Sequence, residues 1–240
     1  MKKILIASGI FFAISLVFIT SAFAVSGFDM FELTNFNNYT KNEEYYENIN
    51  SLEINESIIT KIDKHSEDKI LVVYYTNDNS KYTITNEENN LNILADISSN
   101  KSFGFSFGFN INKGIEIYLP QNSNIDINIT SKDCVLDIED ITANNIVINN
   151  DDGVVNIEDI VCNSLNLTLE NGVTNLEDVK SPSIEITIEN GVLNVELPYS
   201  KNQYTLEIDV KTFCNVSSGG TGANLLKIKA DKGMINVEFD

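Results

Sequence analysis

Tryptophan and arginine are absent from this 240-residue chain, histidine occurs once, and cysteine and proline occur three times each. Each shortage closes off some chemistry. With His65 alone there is no His-rich metal spacing, and no cysteine lies near it in sequence to form a Cys/His catalytic pair. No G-x-S-x-G elbow and no phosphate-cradling glycine loop appears either. The absence of arginine leaves all 16 basic residues as lysine, against 35 Asp and Glu, for a net charge of −19. A field of that sign repels nucleic acid and anionic lipid head groups, which excludes DNA or RNA as a partner. Scarce proline, together with a 42% hydrophobic composition, is that of a folded chain with a sizeable core.

Three cysteines cannot all pair within one chain, so at least one thiol stays free or bridges to another molecule. Cys134, Cys162 and Cys214 read as small buried hydrophobes rather than nucleophiles.

What is present begins at the N-terminus. Lys2 and Lys3 precede an uncharged run that lasts until Asp29, with Ala22-Phe23-Ala24 in the small-x-small pattern of an export cleavage site. Residues 1–24 therefore read as a signal peptide, or as an N-terminal anchor if uncleaved, since the run is long enough to span a bilayer. The expected location is exported: extracellular, at the cell surface, or held on the outer face of the cytoplasmic membrane. Membrane contact is expected only through this segment. Residues 25–48 are polar, acidic and aromatic without a clean period and read as a linker.

From residue 49 to 120 short alternating runs appear, SLEINESIITKI, KILVVYYTN and KYTITNEENNLNILADI, separated by turn residues such as Glu88-Asn89-Asn90. KGIEIYLP ends at Pro120, which closes a strand because proline cannot donate to a ladder. Between residues 121 and 200 a nineteen-residue period takes over, marked by Gly153, Gly172 and Gly191. Aliphatic columns keep constant offsets from those glycines: Ile127, Ile146, Leu165 and Ile184; Ile129, Ile148, Leu167 and Ile186; Ile138, Ile157, Leu176 and Val195. The reading is an all-β chain, a β-solenoid with these columns inside and a glycine corner on each turn. Cys134 stands where a glycine is due, so the first turn is expected to bend differently. Residues 201–240 read as closing strands around a flexible loop, 217–224. There Gly233 and Asn236 echo Gly191 and Asn194 at a distance of two periods plus four residues.

Three constellations are candidates for function. Glu139, Glu158, Glu177 and Glu196 align, as do Asp140, Asp159 and Asp178. Stacked like charges repel, so the columns are either a solvated edge or a place where calcium sits between turns, with Glu158, Asp159, Glu177 and Asp178 as its ligands. The solvated edge is favoured, because the calcium-binding nonapeptide signature is absent. Asn156, Asn175 and Asn194 form a column suited to an amide ladder. Phe103, Phe105, Phe107 and Phe109 alternate, so on a strand they share one face and either cap the core or offer an interaction patch. No catalytic residue and no cofactor is identified.

The repeats, KGIEIYLP and KIKADKGMINVEF together resemble the bacterial putative-adhesin domain family, whose members carry repeated L-x-I-x-T-S-x-G-D-I-x-I units. The resemblance covers residues 49–240. The chain departs from it by valine after each repeat glycine, where the family favours aspartate, and by Cys134. It implies a right-handed, single-stranded β-helix at the cell surface or in the envelope, with no catalytic residues to carry over. The expected function is that of a non-enzymatic interaction module binding a cell-envelope component or surface protein. Two alternatives stand beside it. One is a β-helix carbohydrate-active enzyme, for which Asp151-Asp152 supply carboxylates but no arginine assists. The other is a membrane-anchored regulator of envelope stress.

Overall fold

Strict alternation of aliphatic and polar residues drives this sequence into strands, because one face of each can be buried and the other solvated. The computed structural model describes residues 39–55, 59–77, 80–97 and 114–240, and among them fourteen strands belong to one sheet and one packing unit. They are β1 (Thr40–Tyr46), β2 (Ser51–Asn55), β3 (Ile59–His65), β4 (Ile70–Thr76), β5 (Ser80–Glu87), β6 (Asn90–Ile97), β7 (Ile115–Pro120), β8 (Asp126–Glu139), β9 (Asn145–Glu158), β10 (Ser164–Glu177), β11 (Ser183–Leu197), β12 (Tyr204–Val210), β13 (Phe213–Cys214) and β14 (Asn224–Phe239). Among the described residues no helix is long and apolar enough to cross a membrane. The N-terminal apolar run lies outside them.

The expectation of an all-β repeat fold holds. β8, β9, β10 and β11 stack in parallel, with Ile127 opposite Ile146, Ile146 opposite Leu165 and Leu165 opposite Ile184. Each long strand is two arms joined at a corner. In β10 the first arm turns Leu165, Leu167 and Leu169 inward, and the second turns Thr174 and Leu176 inward. The inward step from 169 to 174 spans five residues, so the corner reverses the alternation. A second corner follows at Asp140, Asp159 and Asp178, all in the left-handed region with φ 58°, 53° and 51°. Aspartate tolerates that conformation better than most residues. A short third side then buries Ile141, Ile160 and Val179 and is tied between turns by bridges from Val161 to Thr142 and Lys180. Each fully buried aliphatic side chain stabilises the stack by about 1.5–3 kcal/mol.

Cys134 lies opposite Gly153 and, like Gly191, is not among the residues with positive φ, so this corner does not need a left-handed residue on every rung. Its thiol is buried and accepts a hydrogen bond from Ser131 Oγ at 3.0 Å. All three cysteines are free thiols.

The ends depart from the sequence reading in four ways. Residues 40–46, read as linker, form β1, which pairs antiparallel with β4. Rungs do not follow chain order: β2 and β3 together sit between β8 and the later pair β6 and β7, while β4 and β5 run antiparallel on the far side. At the other end β14 pairs directly with β11, Gly191 opposite Gly233 and Asn194 opposite Asn236, and β12 lies outside it. The echo of two periods plus four residues is thus one rung in space, because the intervening residues loop out to make the terminal rung.

The glycine-rich segment read as a flexible loop instead covers the outer edge of β12. Leu206 and Gly219 exchange backbone hydrogen bonds at 2.7 and 3.0 Å, and the Ile208 amide donates to Ser218 Oγ at 2.8 Å. An exposed strand edge is an aggregation template, and this cover blunts it. Beneath it Tyr204, almost fully buried, packs between Tyr199 and Phe239 at ring-centroid distances of 6.4 and 5.6 Å.

Candidate functional site

The second arm of each rung buries two residues, Val155 and Ile157 in β9, so the alternate positions 154, 156 and 158 face outward. Constant register repeats that arrangement on every rung and builds three parallel columns. The first is apolar: Val135, Val154, Val173, Val192, Met234 and Phe213 stand opposite one another in β8, β9, β10, β11, β14 and β13. Val135, Met234 and Phe213 are 44%, 54% and 61% exposed, and the three valines between them are half-buried. These residues line one outer strip of the sheet.

The middle column is the amide ladder. Asn175 Nδ2 donates to Asn156 Oδ1 and Asn194 Nδ2 donates to Asn175 Oδ1, each at 2.9 Å. Asn215 and Asn236 make a separate pair beyond it: Asn215 Nδ2 donates to Asn236 Oδ1 at 2.9 Å, and Asn236 Nδ2 donates to Glu238 Oε1 at 3.2 Å. These amides satisfy one another along the stack, as the sequence spacing led us to expect.

The third column is carboxylate, with Glu139, Glu158, Glu177, Glu196 and Glu238 in register. Among the described residues lysine neutralises only its N-terminal flank: Lys61 pairs with Glu139 and Asp63, and Lys64 Nζ lies 2.5 Å from Asp140. Carboxylates hydrogen-bonded to Lys61 push its pKa up, Glu139 most of all. Among the described residues no ion pair reaches Glu158, Glu177 or Glu196. Repulsion from Glu177 pushes the Glu158 carboxyl above its ordinary pKa, and partial desolvation, then Glu177, does the same at Glu196.

The calcium candidates divide by role. Glu158 and Glu177 face each other on adjacent rungs, whereas Asp159 and Asp178 hold the left-handed corner, and the Asp159 amide donates to the Glu177 carbonyl at 3.1 Å. Among the described residues no group of three or more His, Cys, Asp or Glu is placed to hold a metal ion. Asp152 stands on the other corner, in register with Asp133 and Asn171. Burial pushes the Cys134 and Cys162 thiols up, away from the reactive thiolate. His65 Nε2 lies 2.5 Å from the Lys69 carbonyl oxygen. Phe103, Phe105, Phe107 and Phe109 lie outside the described residues.

The sequence reading missed the apolar column. Its signal was the valine after each repeat glycine, Val154, Val173 and Val192.

Residues 49–240 match the family model Toastrack DUF4097. No curated protein matches the chain. Among solved structures, a "putative cell adhesion protein" from Clostridium sporogenes is 15% identical, covering 84% of this chain and all of that one, with a TM-score of 0.42. A "putative adhesin" from Bacteroides fragilis is 14% identical, covering 82% of this chain and 96% of that one, with a TM-score of 0.48.

Proposed function

The chain belongs to the Toastrack DUF4097 family, and from that premise we propose that it is an exported, non-enzymatic interaction module of the cell surface or envelope, adhesin-like in role. Its coil is right-handed, the sense that parallel strands joined by crossovers adopt in nearly all folds. The observation that carries the reading is the outer face of the second arms, where three chemically distinct columns run over the successive rungs β9, β10, β11 and β14, with Asp137 at the amide position in β8. Solenoids use such extended repeating faces to bind elongated partners. Export rests on Lys2, Lys3 and the apolar run up to Ala22-Phe23-Ala24. The partner is an envelope component or surface protein, and the stacked carboxylates work as a solvated acidic edge without calcium.

The test is retention of cell-wall and membrane fractions on the immobilised protein, with and without a chelator. We expect a component of one fraction to be held equally in both conditions. Failure to retain anything from either fraction overturns the reading, and loss on chelation alone restores calcium to the site.

A further inference from the structure

We infer that the three-column face is a docking track for a cationic amphipathic helix of a partner protein, whose apolar stripe covers the valine column and whose lysines or arginines meet the glutamate column. This deepens the interaction-module reading and rests on it.

Spacing selects the shape of the occupant. Rungs are about 4.8 Å apart. A helix laid along the columns advances about 5.4 Å per turn, so one turn falls nearly on each rung and the mismatch over four rungs is only about 2.4 Å, within side-chain reach. An extended strand repeats a given face every 6.7 Å or so and slips a full rung out of step over the same length. Width agrees as well. Val173 and Glu177 lie four residues apart on one strand, about 13 Å, close to the 10–12 Å diameter of a helix.

Chemistry selects its character. The apolar column offers Val135 and Met234, which are exposed, and Val154, Val173 and Val192, which are half-buried. The amide ladder between the two outer columns is already hydrogen-bonded within itself, so covering it strands few polar groups. Glu158, Glu177 and Glu196 have no ion-pair partner among the described residues, and their mutual repulsion is relieved when a cation approaches. A second copy of this chain would bring the same acidic column against itself, and an anionic membrane is repelled by a net charge of −19.

The probe is a synthetic helix of about eighteen residues, five turns, with leucine on one face and lysine on the other; a glutamate-for-lysine version is its control. Binding to the full chain is read by fluorescence anisotropy over a salt series. We expect the lysine peptide to bind and the glutamate peptide not to. Val154→Ser/Val173→Ser/Val192→Ser should weaken binding at least about tenfold. Glu158→Gln/Glu177→Gln/Glu196→Gln should do the same and flatten the salt dependence. The matched control is Glu53→Gln/Glu185→Gln/Glu207→Gln, which removes equal charge from the outward side of the first arms and should leave affinity unchanged. Equal loss in both glutamine sets means diffuse attraction to an acidic protein and overturns the track. So does no binding at all, or a dimer in sedimentation that the valine substitutions dissolve. Retention of an envelope component by the valine variant refutes the track alone, whereas a wild-type chain that retains nothing refutes the module reading beneath it.

Discussion

Gly172 sits so closely over Gly153 that a Cβ on Gly172 would fall 2.0 Å from the Gly153 carbonyl oxygen. Its φ of +143° also lies where side chains are strained. Gly172→Ala should therefore lose more than about 3 kcal/mol of stability, because neither backbone can retreat without breaking rung register. Urea denaturation measures this, and a midpoint unchanged from the parent would refute the close-approach argument.

Thr174 offers the opposite sign. It is fully buried between Val155 and Leu193, and among the described residues its hydroxyl has no hydrogen-bond partner. Valine keeps the shape and removes the orphan, so Thr174→Val should gain about 1–2 kcal/mol. A destabilised variant would show that the hydroxyl is satisfied in solution.

The pH response follows from the directions of the carboxylate shifts. Glu158 and Glu196 have folded-state pKa values above their unfolded ones, so their repulsion is present at neutral pH and fades as pH falls through the folded values. Glu44 runs the other way. Hydroxyl hydrogen bonds from Tyr46 and Tyr74 hold it below the ordinary carboxylate range, and its contribution is lost only as pH falls through that lower value. The thermal midpoint should rise on mild acidification from neutrality and drop in stronger acid. Glu177→Gln should flatten the rise, since Glu177 is the leading cause at Glu158 and the leading charge at Glu196. A midpoint that falls monotonically from pH 7, with no difference in Glu177→Gln, would contradict it.

The interior was legible because a stack holds its register, so equal spacing in sequence becomes vertical alignment in space. Ile146, Leu165 and Ile184 could be read off as one column for that reason, and so could Asn156, Asn175 and Asn194. What sequence spacing does not encode is which rung lies beside which once a loop intervenes. β2 and β3 therefore looked merely irregular, and β14 was set one rung too far along. The Glu-Asp repeat hid two jobs in one charge pattern, because a left-handed Asp159 and a repelling Glu158 differ only in backbone conformation. The candidate face was half visible: its amides and carboxylates stood out as polar repeats, while its valines stood out only as a departure from the family's repeat and not as an outward column. Whether a valine faces inward or outward depends on the reversal of alternation at the corner, which composition does not reveal.

The cover over β12 predicts a local effect. Ser218→Ala removes the oxygen that takes the Ile208 amide, and amide exchange at Ile208 should speed up about tenfold or more while global stability changes little. Unaltered exchange there would mean that the segment 217–222 does not hold the edge in solution.

The placement of β14 between β11 and β12 bears on how the molecule comes into being. During synthesis β12 emerges before β14, its long neighbour among the described strands, so rung-by-rung closure on the ribosome halts after β11 and resumes once residues 224–239 are free. Until then Tyr204 and Leu206 have no floor to rest on. A nascent chain interrupted before that point carries a bare apolar edge, the kind of surface chaperones and proteases recognise. β14 thus works as a late latch: the rung that precedes it in the chain is completed only when it arrives.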